Sequence, residues 1–264
     1  MAVAYDGSAY RGWQAQQPGV ASVQSSVEKA LSEIAGQDLR VHCAGRTDAA
    51  VHATQQVIHF EAPVRPDRAW IKGGNTLLPR GISALWVKPV SPDFHARFSA
   101  TARRYRYCIL NTPERPAHGL ELVTWESVAL NDRLMDEAAQ SLLGEQDFSS
   151  FRAASCQSNT PMRCVHHARV RRSGDMVVLD IQANAFLHHM VRNIAGSLIE
   201  VGKGRQDSGW IADLMRLRDR RLAAATAKPF GLYLVGVNYD ARWQLPQSEP
   251  GPWWLADDLR RTSS

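Results

Sequence analysis

Two kinds of hydrophobic periodicity interleave along the chain, and this restricts the fold more than any other feature of the sequence. Val23, Val27 and Leu31 recur at helical spacing behind Ser22, a residue type that favours the N-cap of a helix. Farther along, Gln56 and Ile58 belong to a segment that alternates as a half-buried strand does. Helical and strand patterns interleave along the chain, and we predict an α+β fold for it.

The second half of the chain repeats this organisation. Residues 103–110 alternate as a strand, and a last strand is predicted from Leu232 to Tyr239. Between them Asn131 precedes a helical pattern, and Gly144 is predicted to end that helix. The two halves meet near residues 99–102. We therefore predict an N-terminal α+β domain over residues 1–100, a C-terminal α+β domain over 101–244, and a partly docked tail over 245–264.

The basic residues are concentrated in particular stretches. Lysine and arginine outnumber aspartate and glutamate by 31 to 26, a modest net charge of +5. The stretch 94–113 contains no acidic residue but includes Arg97, Arg103, Arg104 and Arg106. Such a stretch can contact a phosphate backbone, although charge alone slightly favours an ordinary solvated surface.

Several classes of protein are disfavoured by the remaining composition. No apolar run approaches the ~18 residues of a membrane-spanning helix, and the first residues lack the features of a signal peptide, so we expect a cytoplasmic protein with no membrane association. The four cysteines form no C-x-x-C pair, which predicts reduced thiols and no structural metal site.

The segment from Ala44 to His52 is the strongest candidate for a functional loop. It lies between two predicted strands and brings Arg46, Thr47 and Asp48 together in sequence. Loops held by a rigid scaffold commonly carry reactive groups. On residue types alone, however, the more common interpretation is an aspartate that satisfies its own turn.

The same loop resembles the central motif of the tRNA pseudouridine synthase A family, usually written G-R-T-D-A-G-V-H. Further segments resemble the family in the same order along the chain, and together they span roughly residues 5–240. These segments are Tyr5–Gln14, Asp93–Ala100, Arg104–Tyr107, Phe148–Phe151, Asn184–Asn193 and Gly231–Leu234.

The resemblance implies a fold, a reaction and a set of partners. It implies two ferredoxin-like (RRM-like) domains whose antiparallel sheets join, with the active cleft between them. The implied activity is an isomerase that converts uridine to pseudouridine at positions 38, 39 and 40 of the tRNA anticodon stem-loop. The reaction neither oxidises the substrate nor adds a group to it, so no cofactor and no metal are expected. The implied assembly is a homodimer bound to tRNA.

The resemblance also assigns roles to individual residues. Asp48 is implied as the catalytic carboxylate and Arg192 as the cation beside it. Arg46 is expected to hold a phosphate of the flipped nucleotide, Tyr105 to stack on the uracil, and Leu232 to form an apolar wall of the pocket. Each has a structural alternative: a surface arginine for Arg46 and Arg192, and core packing for Tyr105 and Leu232.

A second set of residues is expected to support binding. Arg97, Arg103, Arg104 and Arg106 are predicted to line the groove for the RNA backbone. Candidates of lower rank are His52, Phe94, His95, His188 and His189. The chain departs from the family at Ala50, where glycine is usual, so a positive φ there would strain the loop by of order 1 kcal/mol.

Two other functions compete with the isomerase. The first is a non-catalytic RNA-binding protein or RNA chaperone that uses the same basic residues, with salt-dependent affinity for tRNA and no product. The second and weaker is a glycosidase acting on nucleosides or nucleotides. Such enzymes usually carry paired carboxylates, whereas the loop around Asp48 contains no second acidic residue.

Overall fold

The computed structural model describes residues 1–17, 19–247 and 250–260. The strands are β1 (Ala2–Tyr5), β2 (His42–Cys43), β3 (His52–His59), β4 (Ile82–Trp86), β5 (Ala100–Asn111), β6 (Thr124–Glu126), β7 (Gly144–Asp147), β8 (Met162–Ser173), β9 (Met176–Ala183) and β10 (Leu232–Tyr239). The α-helices are α1 (Val23–Ala35), α2 (Gly74–Leu77), α3 (Asp132–Ala139), α4 (Met190–Gly202), α5 (Trp210–Leu217) and α6 (Asp257–Arg260). Short 3-10 turns occupy Gln140–Leu142, Ser149–Phe151, Arg220–Leu222 and Ala241–Trp243, and a π-helical turn at Ala69–Gly73 leads into α2.

The described chain packs into two compact units. Unit 1 contains Met1–Thr101 and Tyr233–Trp254, and unit 2 contains Ala102–Leu232 and the chain from Leu255. Each unit combines a mainly antiparallel sheet with helices, which agrees with the predicted mixed class.

Unit 1 is built on four strands in the order β4-β1-β3-β10, with β2 paired to β3. The pairing of β3 with β10 is parallel, and the others are antiparallel. Helix α1 confirms the predicted helix: the Ser22 side chain accepts the Ser25 N–H, and Val27 and Leu31 are buried. Its apolar stripe leaves water on packing, which is the main stabilising contribution of an amphipathic helix.

Unit 2 is built on four antiparallel strands in the order β5-β9-β8-β7, with β6 parallel to β5. Helix α3 begins at the predicted N-cap, since the Asn131 side chain accepts the Leu134 N–H. The predicted end at Gly144 is wrong. Helix α3 ends at Ala139 and a 3-10 turn follows, while Gly144, with a φ of +88°, opens strand β7 against β8.

The segment predicted as a tail contributes to both units. In unit 1 Gly251 lies against the Thr54 side chain, and the Trp254 ring lies 6.0 Å from the Tyr233 ring. In unit 2 Leu255 and Leu259 are buried. Among the helices in the described ranges, none combines the length and apolar character needed to cross a bilayer.

Candidate active site

The Asp48 loop connects β2 to β3 within unit 1. Thr47 is buried, Asp48 is half-buried and Arg46 is exposed, so a carboxylate and a guanidinium stand on either side of an inward-facing threonine. The Thr47 hydroxyl lies 2.8 Å from the Tyr5 hydroxyl, and this buried hydrogen bond fixes the middle of the loop. The loop therefore presents its charged groups from a defined backbone.

The start of the loop is held by a side-chain amide of β3. Gln56 is fully buried, its Oε1 accepts the Gly45 N–H at 3.3 Å, and its Nε2 donates to the Gly45 carbonyl oxygen. The amide thus pairs with the peptide as a neighbouring strand would. Because a buried polar group without a partner is costly, this pairing fixes the loop where regular strand pairing ends.

The segment Tyr5–Gln14 forms the other side of the loop. The Trp13 N–H donates to the Thr47 oxygen at 3.0 Å, and the Ala50 N–H donates to the Tyr10 oxygen at 3.2 Å. Between these bonds Gly12 has a φ of +97°, and a Cβ there would lie 2.8 Å from the Thr47 oxygen. Only glycine permits both this conformation and this approach. Two segments that resemble the family separately in sequence are therefore one packed structure.

Ala50 adopts the left-handed conformation that its position in the motif suggested. Its φ is +62°, in a region that alanine occupies at a cost of about 1–2 kcal/mol. The Val51 N–H donates to the Asp48 oxygen at 3.2 Å across this turn. The chain thus keeps the turn that glycine usually makes in the family, and keeps it under strain.

His52 occupies a structural position at the beginning of β3. Its side chain is 1% exposed, Nδ1 accepts the Gly7 N–H at 3.1 Å, and the ring stacks on Tyr233 with centroids 4.6 Å apart. The Asp6 carboxylate lies 3.2 Å from the same Nδ1. The imidazole therefore orders the segment that follows β1.

In unit 2, Tyr105 lies on β5 and Leu232 lies close to the same strand. Tyr105 is 8% exposed, and its ring meets Phe186 edge-on with centroids 5.1 Å apart. Gly231 approaches β5 so closely that a Cβ on it would lie 2.3 Å from the Cys108 oxygen. The Cys108 N–H donates to the Gly231 oxygen at 2.8 Å. This close approach places Leu232 beside β5.

Arg192 lies in the first turn of α4 and is half-buried. Its Nε donates to the Ala227 oxygen at 2.8 Å, and the Ala227 N–H donates to the Arg192 oxygen at 3.2 Å. Burial raises the pKa of Tyr107, and the positive charge of Arg192 acts against this shift. The side chain is therefore anchored rather than extended freely into water.

The paired histidines before α4 shape its first turn. His189 has a φ of +60° and precedes Met190, the first helical residue. His188 is exposed, and its Nδ1 lies 3.0 Å from the Ser155 hydroxyl. The two imidazole centroids are 4.0 Å apart.

The basic residues of β5 differ in their surroundings, and one prediction about them is wrong. Arg106 has no exposed surface: its Nε donates to Asp180 at 2.9 Å and its guanidinium also donates to the Arg260 oxygen at 2.6 Å. A side chain so enclosed cannot contact an RNA phosphate. Arg104 also forms a bidentate pair with Asp180, with both N···O distances at 2.6 Å.

The Asp180 carboxylate is the charge that these arginines neutralise. Burial would raise its pKa, but the hydrogen bonds and charges of Arg104 and Arg106 outweigh this effect and hold the pKa below its ordinary value. Arg103 is half-buried and donates to the Asn184 oxygen at 3.0 Å, whereas Arg97 is exposed. Of the four predicted RNA contacts, Arg97 is the most accessible, and Arg103 and Arg104 are partly so.

From the sequence, Gln56 and the segment that begins at Tyr5 were noted but neither residue was given a part in the site, and Asp180 was not identified. Alternation assigns Gln56 to a strand, but its function depends on the amide reaching Gly45, eleven residues away. Asp180 could have been suspected as an acidic residue inside an apolar strand, since buried carboxylates require partners.

Comparison with known proteins adds an independent line of evidence. The family described as "tRNA pseudouridine synthase" matches residues 1–99 and 138–240. A protein of Photorhabdus laumondii named tRNA pseudouridine synthase A is 57% identical over 98% of each chain, and its Pasteurella multocida namesake is 56% identical over the same shares. The namesake from an Enterobacter species is 58% identical over 97% of this chain and 95% of its own.

Proposed function

The chain belongs to the tRNA pseudouridine synthase family, and we propose that it isomerises uridine to pseudouridine at positions 38, 39 and 40 of the tRNA anticodon stem-loop. The observation that carries this proposal is the Asp48 loop. A single carboxylate stands on a backbone fixed by Tyr5, Gln56 and the segment around Gly12, within a chain similar to its relatives from end to end.

The proposed reaction is a rearrangement in which atoms and electrons balance within the substrate. The C1′–N1 bond breaks, a C1′–C5 bond forms, the proton on C5 leaves, and N1 gains a proton. Asp48 acts as a nucleophile on the sugar, as a nucleophile on the base, or as the base that removes a sugar proton. All three routes need a carboxylate that is ionised and placed within bonding distance, which a fixed loop supplies better than a mobile one.

The remaining site residues follow from the resemblance. We propose that Arg192 stabilises the Asp48 carboxylate, that Tyr105 stacks on the extruded uracil and that Leu232 closes the pocket. Stacking of a base on an aromatic ring contributes about 1–3 kcal/mol, enough to offset much of the cost of extrusion. The exposure of Arg46 supports its role as a phosphate ligand.

The finer description of the fold and the assembly is proposed on the same basis. We propose that the chain forms two ferredoxin-like domains whose sheets join, with the active cleft between them. The protein is expected to act in the cytoplasm as a homodimer on tRNA. Light scattering of the purified protein, alone and with tRNA, tests the dimer, and a mass of about 29 kDa without RNA would contradict it.

Replacement of Asp48 by asparagine tests the reaction. Asp48→Asn keeps the shape of the side chain but removes the charge, so pseudouridine formation on an unmodified tRNA transcript should be abolished while tRNA affinity changes less than threefold. Asp38→Asn is the matched control, because Asp38 is an exposed aspartate of the same unit. Product is measured by mapping pseudouridine along the transcript without added cofactor.

The assay also separates the competing functions. A non-catalytic RNA-binding protein would bind the transcript and yield no pseudouridine whichever residue occupies position 48. A glycosidase would release free uracil and leave an abasic site. Turnover by Asp48→Asn at the rate of the parent protein would refute the assigned role of the carboxylate.

A further inference from the structure

An exposed aromatic ring in unit 1 belongs to a stacked cluster that the proposed mechanism does not use. Phe98 is 76% exposed, an unusual position for a phenylalanine. It lies beside three histidines and an arginine. We call this cluster the platform, and it consists of His42, His59, His95, Arg97 and Phe98.

The rings of the platform form a continuous stack. The Phe98 ring lies 4.3 Å from His95, at an interplanar angle of 30°. His95 is 4.4 Å from His59, and His59 is stacked on His42 at 5.0 Å. One face of Phe98 is thus covered by an imidazole, while most of the surface of the residue is exposed to solvent.

Hydrogen bonds to the imidazoles fix the segment that carries Phe98. The Nδ1 atom of His95 accepts the N–H groups of Arg97 and Phe98, at 3.1 and 3.2 Å. The Nδ1 atom of His59 accepts the Ala96 N–H at 3.1 Å. Because the backbone is held in this way, the ring can bind a flat ligand without paying the entropy of ordering its loop.

The charge of the platform favours an anionic partner. The Arg97 guanidinium lies 5.5 Å from the centre of the Phe98 ring. Burial lowers the pKa of His95, and burial together with the neighbouring His95 and His42 lowers the pKa of His59 to about 4. Both imidazoles are therefore neutral near pH 7, so they stack without repulsion while Arg97 supplies the positive charge.

The platform is connected directly to the Asp48 loop. Strand β2 carries His42 and then Cys43, and the next residues lead to Arg46. Burial raises the pKa of the Cys43 thiol to about 12, and the charges of Arg46 and Arg97 oppose this shift. Both guanidinium groups therefore act on the same thiol, from the loop and from the platform.

We propose that the platform binds an unpaired base of the substrate RNA, with the base stacked on Phe98 and its phosphate on Arg97. A base offers a flat π-face and an adjacent anion, and the platform offers an exposed ring and an adjacent cation. The base belongs to a nucleotide near the target uridine rather than to the target itself. The inference rests on the proposed function only for the identity of the RNA.

Substitutions at Phe98 distinguish stacking from simple apolar contact. Phe98→Leu keeps apolar bulk but loses the plane of the ring, and should weaken binding of an anticodon stem-loop RNA by about 5- to 150-fold, the range expected for one stacked base. Phe98→Tyr should stay within about twofold of the parent, as an aromatic ring serves equally. Trp253→Ala is the matched control, because Trp253 is another exposed aromatic residue of unit 1, at 82%.

The binding assay uses the Asp48→Asn background, so that no turnover occurs during titration. The RNA carries the fluorescent base 2-aminopurine at one unpaired position at a time. Quenching at one position in the Phe98 protein, and loss of that quenching in Phe98→Leu, is the expected result. Arg97→Gln should lower the slope of log K against log salt by about 0.7, as expected for one lost single-strand phosphate contact.

Several results would overturn the proposal. The first is equal RNA affinity of Phe98→Leu and the parent, and the second is an equal loss of affinity for a hairpin that has no unpaired base. The third is a change of oligomeric state in Phe98→Leu, which would assign the ring to a contact with a second copy of the chain. Pseudouridine formation by the parent protein is measured in parallel. Phe98-dependent binding without product would refute the proposed reaction alone, and product with Phe98-independent binding would refute the platform alone.

Discussion

Replacement of Ala50 by glycine should stabilise the protein, although glycine usually destabilises. Ala50 holds a φ of +62°, which costs alanine about 1–2 kcal/mol relative to glycine. Glycine makes the unfolded chain more flexible, and this lowers the free energy of unfolding by about 0.4–1 kcal/mol. The difference predicts a gain of about 0–1.6 kcal/mol for Ala50→Gly, with a midpoint near 0.8 kcal/mol. For a chain of this length the midpoint corresponds to a rise in Tm of about 2–3 °C.

The neighbouring alanine provides the control. Ala49 is exposed and is not among the described residues with positive φ, so Ala49→Gly relieves no strain. This variant should lower the free energy of unfolding by about 0.5–1 kcal/mol. The two variants differ by one position and should move Tm in opposite directions in a thermal unfolding experiment. Pseudouridine formation by Ala50→Gly should stay within about twofold of the parent, because the backbone at Asp48 is unchanged. Equal or lower stability of Ala50→Gly than of Ala49→Gly would refute the strain at this turn.

Two further substitutions test the packing around the sites. Gly12→Ala should reduce kcat/KM at least about tenfold, because its Cβ would lie 2.8 Å from the Thr47 oxygen. Gly19 is the control, because it also has a positive φ but a Cβ there would meet no atom within 4 Å. An equal loss of activity in Gly19→Ala would contradict this explanation. Asp180→Asn should lower the free energy of unfolding by about 3–5 kcal/mol in a denaturant titration, since Arg106 would remain buried without its counter-ion, whereas the exposed Asp175→Asn should change it by less than about 0.5 kcal/mol.

Local patterns predicted the elements that are specified by their own residues. Helix α1 follows from its apolar stripe and Ser22, and strand β10 runs from Leu232 to Tyr239 as predicted. Strand β7 could not be predicted in this way. Gly144, with a φ of +88°, looks like a helix terminator in sequence, and the strand that follows exists because β8 pairs with it. Pairing between distant segments is not encoded in a local window.

The same distinction applies to the site residues. The motif identified the Asp48 loop because its residues are contiguous. Alternation placed Arg106 and Tyr105 on opposite faces of β5, but it could not tell which face is covered. Asp180 and Arg260 cover the Arg106 side, and they lie 74 and 154 residues away in sequence. The predicted RNA contact failed for this reason.

In each unit a short segment next to a charged side chain is fixed in place, but the residue on which this depends differs between the units. In unit 1 the Trp13 N–H and the Gln56 amide hold the Asp48 loop, and the close approach of Gly12 to Thr47 leaves no room for a side chain there. In unit 2 the segment beside Arg192 is held by a buried amide. Asn193 donates to the Phe151 oxygen at 2.8 Å and accepts from the Thr226 hydroxyl at 2.7 Å. Because each bond satisfies a buried polar group, loss of the amide would leave several groups unpaired at once. Glycine in one unit and asparagine in the other therefore serve the same purpose, which is to fix a short segment next to a charged side chain.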